Sequence, residues 1–341
     1  MFAAGASMRV ARVLVVVGVL TACTGGAQPA EPWQVVSEGL GGALLSVTGS
    51  SARDVWAVGA DDGGGPLVLQ WDGAGWTRHT TGSAGDLWWA WRPPAAGRTH
   101  ELWAAGAGGR VLRLDETGWH EDVLEEGLVL WGVWGASEDE VWAVGGDPTA
   151  ASGTAALFRF FEGEWSRQDL PAEAAEQVAL YKVWGSGPDD VWACGASGVI
   201  VHWDGAAWSV VPSGTERLLL TVAGADAEHV WAVGGTGSGE IVRWDGSAWA
   251  SEAPEFSTDF SGVSARGERA VAVGRVGDVW WSDGAGWVHD ERERALYEDL
   301  HAAWLDPDGG VWAVGGKFSS LPMTSGAMLY AGPDEVAAYT P

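Results

Sequence analysis

At intervals of about 40 residues, this chain returns seven times to a hexapeptide close to Asp-Val-Trp-Ala-Val-Gly. The copies are Asp54-Val-Trp-Ala-Val-Gly59, Glu101-Leu-Trp-Ala-Ala-Gly106, Glu140-Val-Trp-Ala-Val-Gly145, Asp190-Val-Trp-Ala-Cys-Gly195 and His229-Val-Trp-Ala-Val-Gly234. A sixth, Arg269-Ala-Val-Ala-Val-Gly274, lacks the tryptophan, and the last is Gly310-Val-Trp-Ala-Val-Gly315. A fixed period of this length means one supersecondary unit copied along the chain, so packing between units must build the core.

Each unit holds four short extended segments. The first reads like Leu180-Tyr-Lys-Val183, and the second is the hexapeptide. The third runs into a Trp-Asp-Gly turn, as at Trp203-Asp-Gly205, and the fourth opens with tryptophan, as at Trp208. The segments are rich in valine and tryptophan and separated by Gly, Asp, Ser and Pro, which is strand and hairpin chemistry. They are apolar on both faces, as strands packed between two neighbouring sheets must be. Four antiparallel strands per unit specify a propeller blade.

The ends complete one another. The last unit has its first three strands and then stops, while Pro32-Trp-Gln-Val-Val36 matches the tryptophan-opened fourth strand at the other end of the chain. The expected fold is therefore all-β, a seven-bladed propeller whose ring is closed by an N-terminal strand in the C-terminal blade. Closure removes the two sheet edges that an open array would expose.

Before the repeats, Arg9 and Arg12 precede an apolar stretch, Val13 to Leu20, too short to span a bilayer. Leu20-Thr-Ala-Cys23 follows and resembles the lipobox of bacterial lipoproteins. That resemblance implies removal of residues 1–22 and lipidation of Cys23, with residues 23–32 as a tether, 33–331 as the propeller and 332–341 as a tail. The expected address is the cell envelope, at the outer membrane or the cell surface. Three acyl chains anchor firmly, since each buried methylene adds about 0.8 kcal/mol.

The net charge is −27, and Lys182 and Lys317 are the only lysines. Such a field argues against nucleic acid and against electrostatic docking on anionic lipid. Most acids lie in turns, where they act as turn formers. The histidines are scattered without metal-ligand spacing, and no nucleophile elbow or phosphate loop is present. Neither a metal nor a cofactor is expected. Cys194 replaces a repeat valine and reads as a small buried apolar residue.

Most of the 25 tryptophans occupy repeat positions and so belong to blade packing. The residues that break a column are better candidates for function. Trp89 stands where other blades have Ser46, Gly132, Lys182, Thr221, Gly262 and Ala302, on the first strands that line a propeller channel. Trp281 stands where they have Gln70, Arg113, Arg159, His202 and Arg243. Trp88, Trp131 and Trp280 fall in largely apolar columns and invite no special role. Insertions at 146–155, 171–177, 291–299 and 316–326 all fall on the side of the second-to-third turns and the blade-to-blade links. Insertions collected on one side mark a binding face. Lys317 and Phe318 are expected there as an exposed cation and aromatic. The candidate ligand-binding residues are thus Trp89, Lys182, Lys317 and Phe318.

Val-Trp-Ala-Val-Gly followed by Trp-Asp-Gly-x-x-Trp resembles the tectonin-type and BNR/YCF48-like propeller repeats of secreted bacterial proteins. The resemblance covers nearly the whole chain after Cys23, and those groups include lectins and assembly factors. Sialidases are a poorer match, because aspartate and tryptophan are four apart (Asp204, Trp208) rather than five and no three-arginine clamp is apparent. WD40 repeats share Trp203-Asp204, but their Gly-His partner is missing, and the tyrosines of kelch repeats are lacking. The expectation is a monomeric, non-catalytic envelope lipoprotein that binds a protein or glycan on its insertion-bearing face. The alternatives are an envelope enzyme acting on polysaccharide, as hydrolase or lyase, and a scaffold for envelope complex assembly.

Overall fold

A computed structural model describes residues 31–93, 100–292 and 296–341. Residues 1–22, the expected signal segment, and Cys23, the expected lipidation site, lie outside them. Seven four-stranded antiparallel sheets form around one axis. Blades 1 to 6 run over residues 44–78, 87–123, 129–167, 180–210, 219–251 and 260–289, each ordered from the innermost strand outward. Blade 7 takes Leu300–Leu305, Val311–Lys317 and Thr324–Ala331 from the end of the chain and Gln34–Leu40 from its beginning. The closing strand is antiparallel to its neighbour, with Gln34 opposite Tyr330 and Val35 opposite Leu329.

The tail continues across this seam. Tyr339 donates its backbone N–H to the Val36 carbonyl (2.7 Å), and the Trp76 indole donates to the Ala337 carbonyl (2.8 Å). Val336 is buried beneath it. The outer edge of the closing strand is thereby partly covered, as an edge strand requires.

The hexapeptide tryptophans Trp56, Trp103, Trp142, Trp192, Trp231 and Trp312 are all fully buried between blades. Opposite five of them the third strand supplies a covering group, while Trp56 is met by His79 and Arg92. Arg159 lies 5.0 Å from the Trp142 ring, Arg113 and Arg243 lie 5.5 Å from Trp103 and Trp231, and His202 stacks on Trp192 at 4.0 Å. Blade 6 transposes the pair. Its second strand offers Val271, and the residue directly opposite is Trp281, fully buried with Arg269 and Arg292 over its ring. Trp281 packs with Leu300, Val311 and Ala313 of blade 7. The absent hexapeptide tryptophan is therefore no gap, because an indole reaches the same interface from the neighbouring strand.

The Trp-Asp-Gly turns are held by their aspartates. Asp72, Asp204 and Asp245 each accept two backbone N–H bonds from the residues that follow; these bonds, and for Asp245 first the Ser247 hydroxyl, hold their carboxyls below the usual range. A single helical turn, Ala172–Ala175, falls within the link between blades 3 and 4, where no helix was expected from the sequence.

Candidate functional site

Every innermost strand carries a bulge at the same place. The pairing skips Leu45, Trp88, Trp131, Tyr181, Leu220, Ser261 and His301, one per blade. A bulge re-aims a side chain, and here it sits just inside the insertion-bearing end of the ring. Four of these residues, joined by Phe318, make a continuous aromatic crown. Tyr181 meets Trp131 at 5.8 Å, Trp131 meets Trp88 at 4.5 Å, Trp88 meets His301 at 5.8 Å, and His301 meets Phe318 at 4.9 Å. His301 donates from Nδ1 to the Leu45 carbonyl (2.5 Å), and burial drops its pKa to about 3, so it is a neutral ring. Phe318 is therefore half-buried against His301 rather than exposed as expected, whereas Lys317 stands exposed on the rim.

One step inward lies the column that Trp89 and Lys182 break. Ser46, Thr221 and Ala302 at this level are fully buried, and Gly132 and Gly262 bring no side chain. Into the space left by these small residues reach Trp89 from blade 2 and Lys182 from blade 4. The Lys182 Nζ lies 4.5 Å from the centre of the Trp89 ring. A side chain on Gly132, the residue of the blade between them, would start 2.9 Å from the Lys182 Cα. Lys182 is 4% exposed, and among the described residues no carboxylate pairs with it. Desolvation lowers its pKa to about 7, and the indole face is what stabilises the remaining cation. Its cross-strand partner Cys194 is equally buried, and its thiol is pushed up to about 12, which makes it an inert packing residue.

On the far side of this plug, a cavity of about 890 Å³ opens toward the short first-to-second turns, with Trp89 at its floor. This concavity thus lies on the face opposite the insertions. Its wall includes Trp91, Trp134, Trp184 and Trp304, each at the end of a first strand. Each of these indoles reaches onto a glycine of the next blade: Trp91 on Gly135, Trp134 on Gly185, Trp184 on Gly224 and Trp304 on Gly49. A Cβ on any of those glycines would come within about 2.7 Å of the indole. Where the first strand ends instead in Thr48, Ala223 or Ser264, the next blade has Arg92, Ala265 or Leu305 in the glycine's place. Among the described residues the cavity wall contains one carboxylate, Asp226, which hydrogen bonds from the Glu228 and His229 backbone hold below its ordinary pKa.

Of the four candidate ligand residues, Trp89 and Lys182 meet in the channel, Phe318 joins the crown and Lys317 stands apart. Trp88 and Trp131, read as apolar-column residues, turn out to be the centre of the crown. The signal was the bulge position itself, one residue after the leucine of each first strand, or after Phe260 in blade 6. Among the described residues no cluster of three or more metal-ligating side chains occurs.

No protein-family model matches the chain, and no curated protein matches it significantly in sequence. Among solved structures it is similar to YCF48 from Cyanidioschyzon merolae, with a TM-score of 0.64 and 15% identity over 89% of this chain and 100% of that one. It is also similar to YCF48 bound to D1 peptide, with a TM-score of 0.65 and 16% identity over 90% and 99%. The RRP9 WD40 repeats match with a TM-score of 0.68 and 10% identity over 89% and 99%. At these identities the likeness is one of fold, and the fold is the propeller.

Proposed function

We propose that this chain is a non-catalytic interaction platform of the cell envelope, anchored through lipidated Cys23, that receives a protein partner on its insertion-bearing face. The observation that carries the reading is the aromatic crown. Five rings from blades 2, 3, 4 and 7 meet at the end of the channel where the variable loops gather. Partly exposed aromatic clusters of this kind anchor protein partners, because they bury large area at small entropic cost. That one YCF48 structure of the same fold holds a peptide agrees with a propeller serving as a protein platform.

The glycosidase alternative needs two carboxylates facing one another across a cleft. Among the described residues the channel cavity offers Asp226 alone, already committed to its turn and to His229. The binding reading is therefore preferred, with the propeller acting as a monomer.

The test is photo-crosslinking from the crown in cells, compared between wild type and Trp88→Ala/Trp131→Ala. One discrete protein adduct, lost in the double variant, is expected. An adduct unchanged by the variant, or glycan-array binding with no protein adduct, would overturn the protein reading. For the anchor, Cys23→Ser is expected to move the protein out of the membrane fraction, and unchanged fractionation would count against lipidation.

A further inference from the structure

Two apolar residues on the insertion-bearing face hold a left-handed backbone and point into solvent. Val276 has φ 57° and is 60% exposed, while Phe256 has φ 65° and is 98% exposed. A left-handed β-branched residue is an outlier that its surroundings must enforce. The repeat supplies its own control. Val276 is the third residue of Gly274-Arg-Val-Gly277, between the second and third strands of blade 6. The same turn is Gly195-Ala-Ser-Gly198 in blade 4, with Ser197 at φ 54°, and Gly106-Ala-Gly-Gly109 in blade 2, with Gly108 at φ 71°. The turn thus requires a left-handed residue at this position, and blades 2 and 4 meet the requirement with glycine or a small polar side chain. Blade 6 uses valine and gains no burial for it.

The turn is braced from both sides. The Val276 N–H donates to Asp299 Oδ1 (2.8 Å), and the Thr258 hydroxyl donates to Asp278 Oδ2 (3.0 Å). Phe256, Val276 and Tyr297, the last 63% exposed, line one groove of about 430 Å³ with Trp280 as its inner wall. Rigid apolar side chains presented in this way are pre-organised for contact. The surrounding charge is acidic: Glu255 and Asp278 line the groove, and Glu298 and Asp299 flank Tyr297. Among the described residues Arg275 is the one lining arginine or lysine, drawn toward Asp259 at 3.8 Å, and the lining His289 meets Asp278 at 2.9 Å.

We propose that this groove docks a segment of a partner protein carrying one or two large apolar side chains between lysine or arginine residues. The proposal rests on the reading of the ring as a protein platform and narrows it to a place and a chemistry. The apolar anchors fill the space between Phe256, Val276 and Tyr297, and the basic flanks answer the acidic rim.

The probe is a random phage-displayed dodecapeptide library panned on the full chain, followed by anisotropy with labelled synthetic copies of the enriched peptides. Enriched sequences are expected to pair aromatic or aliphatic residues with basic flanks. Val276→Gly and Phe256→Gly are expected to weaken their binding about tenfold each. Val276→Gly is also expected to raise the unfolding temperature, since glycine relieves the backbone, which separates lost contact from lost fold. Binding of these variants within twofold of wild type, or enrichment of acidic flanks, would overturn the proposal. So would a lower unfolding temperature for Val276→Gly, which would make the valine a packing residue. Dimerisation in sedimentation that Val276→Gly abolishes would replace the partner with a second copy of the chain. Peptides lost in the Trp88→Ala/Trp131→Ala variant but retained in Val276→Gly would remove this groove and leave the platform reading standing.

Discussion

In blade 4 the second strand buries Trp192 and the third lays His202 across it, whereas in blade 6 Val271 faces a buried Trp281. Five residues further on, the same two blades turn through Ser197 and Val276 in one left-handed conformation. The first difference is compensated, since the indole lost from one strand returns on its partner. The second has no compensating contact and leaves an apolar side chain in water. The two blades also differ in the channel, where Lys182 of blade 4 corresponds to Gly262 of blade 6. Differences repaired across a strand pair concern packing, and those left unrepaired concern what the surface meets.

The largest expected effect tests the repair. Trp281→Ala should cost about 3 to 5 kcal/mol in denaturant unfolding, as Trp192→Ala should. A loss below about 1 kcal/mol would mean that blade 6 truly lacks the wedge. A pH series sharpens the channel contrast. The Lys182 pKa is lowered from 10.5 to about 7 on folding. The unfolded chain therefore binds the extra proton between those values, and wild-type stability should rise as pH climbs through that window. Lys182→Met should remove the slope and add a few kcal/mol below pH 7, with little gain above pH 10.5. Equal gains at pH 6 and pH 10.5 would refute a buried amine.

Transposing the pair back is a smaller test. Val271→Trp alone should cost about 1 to 3 kcal/mol through overpacking, and Trp281→Arg alone should cost more. The double variant should recover at least about 1 kcal/mol relative to the sum, measured as a double-mutant cycle. The smallest effects have opposite signs. Ser197→Val should destabilise by about 1 kcal/mol, and Val276→Ser should stabilise by a similar amount. The same sign for both would break the comparison between the two turns.

The blades, their number and the closing strand were legible because they repeat, and repetition turns single residues into columns. Trp89 and Lys182 were legible as column-breakers, although their meeting depends on the bare Gly132 between them, which a column does not reveal. The crown was hidden by the bulge, which shifts the side-chain parity for one residue and lets Trp88 and Trp131 pass for ordinary apolar strand positions beside Leu45 and Leu220. Trp281 was visible as an oddity, but its purpose lies in a cross-strand register with Val271. The left-handed Val276 was illegible for a different reason: valine is not a turn-forming residue, so no local signal announces it. The reading of Phe318 as exposed failed because the loop at 316–326 folds back over His301.

The pairing of first-strand tryptophans with glycines of the next blade gives the ring a direction and two kinds of joint. Four boundaries are latched, between blades 2 and 3, 3 and 4, 4 and 5, and 7 and 1. The other three lack this latch, although Trp56, Trp231 and Trp281 are buried across them. A circular permutant opened between blades 5 and 6 would place its new termini at a boundary without a latch. One opened between blades 4 and 5 would place them at the Trp184–Gly224 latch. The ring is thus jointed unevenly, its unlatched boundaries falling between blades 1 and 2 and, side by side, between 5 and 6 and between 6 and 7. The groove lined by Phe256, Val276 and Tyr297 lies over the two adjacent unlatched boundaries.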